Sequence, residues 1–180
     1  MERLRIPLLH RIISFLHPED IVRLGRTSRR MHAMMPEVTL ITELWKGPDF
    51  DISSPNCGHC HPKLYFDGPI LPSNVKDMEL SVVWREKGHG DRNGKLFMKL
   101  MRPTANGEPK QIAEHPNLFG FAEHHKTKAY KMIRRSDHPV VAKAKAGDFY
   151  RFIRDAGSGE AHRLKVKNFQ VQATVYTVVY

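Results

Sequence analysis

From Lys63 onward the apolar residues of this 180-residue chain recur at every second position, whereas in the first thirty-five they recur every third or fourth. A period of two belongs to half-buried strands and a period near 3.6 to amphipathic helices. Met78, Leu80, Val82 and Trp84 alternate with Glu79, Ser81 and Val83, and Leu96, Met98 and Leu100 with Phe97, Lys99 and Met101. Tyr150 and Phe152 continue the pattern, as do Leu164 and Val166. Asn168 then slips the register by one, and Phe169, Val171, Ala173 and Val175 take over. Such a slip marks a bulge or a strand changing sheets. Gly-rich turns at 88–94, 106–107, 146–148 and 157–159 separate the segments. Short alternating strands divided by such turns predict an antiparallel sandwich, jelly-roll-like. Helices first and strands after give an α+β fold class.

The leading helices are short. Leu8, Leu9, Ile12, Ile13 and Leu16 form one apolar stripe. Pro18 suits the first turn of a second helix, Glu19 and Asp20 complement its dipole, and Gly25 stops it. Thr27 is placed to cap a third helix over 28–35, closed by Pro36. Residues 36–48 read as a further helix, with Leu40, Ile41, Leu44 and Trp45 on one face, and 49–62 as a polar loop. The expected division is a helical module over 1–36, a linker helix and polar loop over 37–62, and a β-sandwich over 63–180. The stretch 121–135 reads either as a helix or as a loop and a strand ending at Ile133.

The order of the first thirty-five residues resembles the F-box, the helical motif of ubiquitin-ligase substrate receptors. Leu4, Leu8-Leu9, Ile12-Ile13, Phe15-Leu16, Pro18-Glu19-Asp20-Ile21 and Thr27-Ser28-Arg29-Arg30 carry the likeness. Arg5 departs from it where a proline is usual, and Met31 where a tryptophan is common. The resemblance implies docking on a Skp-type adaptor that joins a cullin scaffold, with Leu8, Leu9, Ile12, Leu16, Pro18 and Ile21 making the contact. The later strands look like the galactose-binding-like sandwich found behind some F-boxes, through Val83-Trp84, the run from Ala146 to Phe152, and the final strand pair. The glycan-binding motifs of that group are not identifiable, so sugar binding is not implied by it.

A formal charge of +10 suits an acidic partner. The charge is spread out, with groups of basic residues in the first thirty positions, in 126–135, and at Arg163, Lys165 and Lys167, a spread expected of solvated surface. No apolar run approaches the roughly 20 residues of a membrane helix. Two cysteines three positions apart cannot staple a domain, and a reducing compartment, cytoplasmic or nuclear, is expected. Cys57, Cys60 and His61 match the spacing of haem attachment, and with His59 they would make a zinc set of two thiolates and two imidazoles. Yet four donors within five residues cannot readily wrap one ion, so neither metal nor cofactor is expected. Glu123-His124-His125 is a poor chelate because neighbouring side chains diverge. No nucleophile–base set or phosphate-cradling motif is evident, and no catalytic residue is assigned. Binding is expected on two polar loops, through His89, Asp91, Arg92 and Asn93 and through Ser158, Glu160 and His162. The reading is a non-catalytic substrate receptor for an unknown target protein. The alternatives are a basic sandwich binding nucleic acid or another polyanion, and a carbohydrate-binding sandwich.

Overall fold

The computed structural model describes residues 6–53, 62–87, 93–157 and 162–179. Three helices come first: α1 (Ile6–Ile13), α2 (Pro18–Gly25) and α3 (Arg29–Met34). Strands follow: β1 (Glu37–Lys46), β2 (Phe50–Ser53), β3 (Lys63–Asp67), β4 (Val75–Lys87), β5 (Lys95–Arg102), β6 (Lys110–His115) and β7 (Thr127–Arg134). A single helical turn, α4 (Pro139–Ala142), precedes β8 (Phe149–Asp155) and β9 (Arg163–Val179). By compactness the chain divides into two units, Met1–Ile41 with Tyr176–Tyr180, and Thr42–Val175.

In the larger unit the chain crosses repeatedly between two sheets. One has the order β1-β9-β4-β7 with β2 also paired to β9, and the other β3-β8-β5-β6. Every pairing with a resolved register is antiparallel. This is the strand order of a jelly roll. The alternation seen in the sequence supplies its core: Met78, Leu80, Val82 and Trp84 from β4 meet Leu96, Met98 and Leu100 from β5, all buried. Phe66 stacks on Phe152 at 4.7 Å, and Phe169 meets Phe152 edge-on at 5.3 Å. The slip at Asn168 is a bulge: Ser81 pairs with Gln170 but Val83 with Lys167, and Asn168 takes φ 51°. Its amide donates to Asp49 Oδ1 at 2.9 Å, which holds the kink.

Residues 37–46 correct one expectation, since they form strand β1 rather than a linker helix. Leu40, Ile41, Leu44 and Trp45 do share a helical face, but Val38, Thr39, Ile41 and Thr42 are β-branched and stiff against a helix. Pairing with β9 satisfies the backbone instead. The ambiguous 121–135 stretch resolves to strand β7, and α4 was not foreseen.

In the smaller unit Leu9, Ile13 and Ile21 are buried together, with Leu16, Met31, Met34, Met35, Val38 and Val178 packed round them. Helices of eight residues or fewer need such packing, because isolated ones are marginal below about 12–15 residues. Pro18 opens α2 as expected, with His17 as its cap, and Glu19 and Asp20 occupy its first turn. The cap of α3 is Ser28, not Thr27; Ser28 Oγ accepts from the Met31 amide, while the Thr27 hydroxyl donates to the Leu24 carbonyl. Tyr176 of β9 donates its hydroxyl to Glu19 at 2.5 Å and meets the His17 ring edge-on.

Candidate functional site

The two loops singled out by sequence lie largely outside the described residues: His89, Asp91, Arg92, Ser158 and Glu160 are not among them, nor are Cys57, His59, Cys60 and His61. Their described ends, Asn93 and His162, do come together, but for a structural reason. Glu86, wholly buried near the end of β4, takes the His162 Nδ1 at 2.5 Å on Oε1. Its Oε2 accepts from the Asn93 amide at 3.0 Å and the Gly94 amide at 2.8 Å. A buried carboxylate is tolerated when its lone pairs are filled in this way. Gly157 fits against the same point, for a Cβ there would stand 2.2 Å from that of Asn93, and its φ of +83° favours glycine. His162 is therefore corrected from an exposed ligand to a buried anchor. A second buried acid, Asp148, is held by Arg102 through bonds of 2.7 and 2.8 Å and by the Lys145 amide.

The surface with chemical content is the outer face of the five-stranded sheet. Because Met78, Leu80, Val82 and Trp84 point inward, Asp77, Glu79, Ser81, Val83 and Arg85 point outward. Cross-strand register then sets their neighbours in rungs about 7 Å apart. Met132, Glu79 and Gln172 form one rung, and Tyr130, Ser81 and Gln170 the next. Lys128, Val83 and Lys167 follow, then Arg85, Lys165 and Asp51, then Lys87, Arg163 and Ser53. Lys126 joins Lys165 and Lys167 in lining a depression of about 250 Å³ beside Val83, Trp84 and Arg85.

Seven basic residues that look dispersed in the sequence, Arg85, Lys87, Lys126, Lys128, Arg163, Lys165 and Lys167, are thus collected on half of one face. Asp51 is the acid bonded within this field: Arg163 grips it through both oxygens, at 2.5 and 2.8 Å, and Lys165 lies 3.5 Å away. The Arg163 hydrogen bond leads in holding the Asp51 carboxyl below its usual range. Arg85, Lys128 and Lys167 belong to no ion pair among the described residues. The other half of the face is different. Tyr130 is 59% exposed, with Gln170, Gln172, Ser81 and Glu79 around it. Desolvation raises the Tyr130 phenol first, followed by the charge and hydrogen bond of Glu79.

In the helical unit the residues assigned to an adaptor fall into two groups. Leu8 and Ile12 are exposed, at 52% and 41%, and Phe15, in the turn just after α1, is exposed at 82%. Leu9, Pro18 and Ile21 are buried and Leu16 half-buried, so these four hold the unit together. Sequence reasoning missed Glu86, Tyr130 and the Lys128–Lys167 rung; the alternation of Lys128, Tyr130 and Met132 was the available signal for the last two.

No known family model matches the sequence, and no curated protein matches it. Among solved structures, a family 16 carbohydrate-binding module is 12% identical, with 68% of this chain and 74% of that one covered at a TM-score of 0.43. The Gx strain structure of infectious bursal disease virus is 11% identical, and the match spans 78% of this chain but a third of that one, 33%, at a TM-score of 0.47. The CBM22-1 xylan-binding domain of Paenibacillus barcinonensis Xyn10C is 12% identical, covering 56% of each chain, with a TM-score of 0.32. All three TM-scores lie below 0.5.

Proposed function

We propose that the sandwich is a non-catalytic binding module that holds an anionic ligand on the outer face of its five-stranded sheet. The observation that carries this is the run of consecutive rungs supplying Lys128, Lys167, Arg85, Lys165, Lys87 and Arg163, with one bonded acid among them. Clustered cations raise the local concentration of anions and favour association with charged polymers. Binding of a labelled heparin fragment to the full chain, followed by fluorescence anisotropy, tests it. Lys128→Glu with Lys167→Glu is expected to weaken binding at least tenfold at low salt, without altering the circular dichroism spectrum. Unchanged affinity in that variant overturns the assignment of the face.

A second reading concerns the helical unit. Leu8 and Ile12, one turn apart, make an exposed apolar stripe on α1, and Phe15 in the turn that follows is exposed as well, beside a core that uses none of them. Such a stripe is the side of a helix that meets a partner, and it supports the F-box-like role: docking on a Skp-type adaptor in the cytoplasm or nucleus, so that what the sandwich holds reaches a cullin-based ligase. Catalysis then belongs to that machinery. Co-expression with a Skp-type adaptor should yield a co-purifying complex that Ile12→Asp with Phe15→Asp abolishes. A wild-type chain that fails to co-purify removes this reading and leaves the sandwich proposal standing.

A further inference from the structure

The face of the five-stranded sheet is chemically divided, and the division constrains the ligand more than the charge does. On one side of Val83 the rungs carry Tyr130, Ser81 and Gln170, then Glu79 and Gln172. From the Val83 rung onward they carry Lys128 and Lys167, then Arg85 and Lys165. Glu79 lies outward on the first half, whereas Asp77 beyond it is paired with Lys76 at 3.8 Å and stands opposite Arg134. A polymer with a phosphate at every unit, laid along the strands, would bring an anion over Glu79. The first half instead offers an exposed aromatic ring, two amides, a hydroxyl and a carboxylate. Amides, hydroxyls and carboxylates together donate to and accept from neutral hydroxyl groups. An aromatic face stacks against flat apolar surface, such as the C–H face of a pyranose ring.

We propose that the ligand is an acidic oligosaccharide, whose hydroxyl-bearing rings lie over Tyr130, Gln170 and Gln172 and whose carboxylate or sulfate groups meet Lys128, Lys167 and Arg85. The Tyr130 and Arg85 rungs are two steps apart, about 14 Å along the strands. An oligosaccharide of a few sugars covers that span. Glu79 then acts as a selectivity element: it accepts hydroxyl hydrogens and repels an anion placed on the wrong half. The inference rests on the anionic-ligand reading and narrows it.

A printed panel of uronic-acid, sulfated and sialylated oligosaccharides, each with its uncharged counterpart, together with the oligonucleotide dT12, tests the assignment on the full chain. An acidic oligosaccharide is expected to bind more tightly than both its uncharged counterpart and dT12. Tyr130→Ala is expected to weaken that oligosaccharide about tenfold, the scale of one aromatic contact, to weaken dT12 less, and to leave the circular dichroism spectrum unchanged. Glu79→Gln is expected to narrow the gap between the oligosaccharide and dT12. If dT12 binds as tightly as every sugar, or Tyr130→Ala changes no sugar's affinity, the oligosaccharide assignment is overturned while the cationic face stands. If Lys128→Glu with Lys167→Glu leaves every ligand unaffected, both fall together.

Discussion

Glu86 illustrates how one residue can decide the geometry of a whole end of the sandwich. Its carboxylate is buried beside His162, which is 76 positions away in sequence, and it fills its second oxygen from the amides of Asn93 and Gly94. Truncation would strip the buried Gly94 amide and the His162 ring of the carboxylate they meet, a costlier loss than removal of a surface pair. Glu86→Ala is therefore expected to lower the unfolding free energy by about 3 kcal/mol, as read from urea denaturation. A loss below about 1 kcal/mol, the scale of an exposed pair, would mean the site refills with water. A different behaviour is expected of His115, whose ring stacks on His138 at 4.5 Å. Burial, then the charges of His138 and Lys131, pull its pKa down to about 4. A folded pKa below the unfolded value of about 6.5 means the unfolded chain takes up the proton first. Stability is thus fully present above pH 6.5, falls as pH drops towards 4, and levels below it. His115→Leu should flatten that part of a plot of melting temperature against pH.

At the scale of elements, the strands were legible because period two survives in β4, β5, β8 and β9. Even the bulge showed, since Asn168 interrupts two alternating runs that are each internally regular. Strand β1 was not legible by periodicity, for its apolar spacing fits a helix and its stiff β-branched residues were the contrary signal. The bulge itself yields a prediction. Asn is among the residues that accept φ 51° most readily, and Val does not. Asn168→Val is expected to destabilise by about 1–3 kcal/mol, whereas Asn168→Gly should be near neutral, both measured by thermal unfolding. Equal effects from the two would show that the side chain, and not the backbone, matters there. The binding face was illegible for another reason. Lys128, Val83 and Lys167 become neighbours through the register of three strands, and a single sequence does not reveal which strands pair.

For the molecule as a whole, a net charge of +10 says only that some acidic partner is suited, whereas the arrangement of Lys128, Lys167, Arg85 and Lys165 supports the proposal of where it binds. If roughly five of the gathered cations displace counterions from a single-stranded polyanion, the logarithm of the binding constant should fall with that of salt with a slope of about −3.5. Helical-unit docking through Phe15 and Ile12 should be far less sensitive, because burial of apolar surface tolerates added salt. The pin at Glu86 has a consequence for how this scaffold can change. Glu86 and Asn93 flank the segment 88–92, and His162 directly follows the segment 158–161. Insertions in those two stretches are expected to remove no member of the pin, so new sequence can be grafted there while Glu86 keeps Asn93, Gly94 and His162.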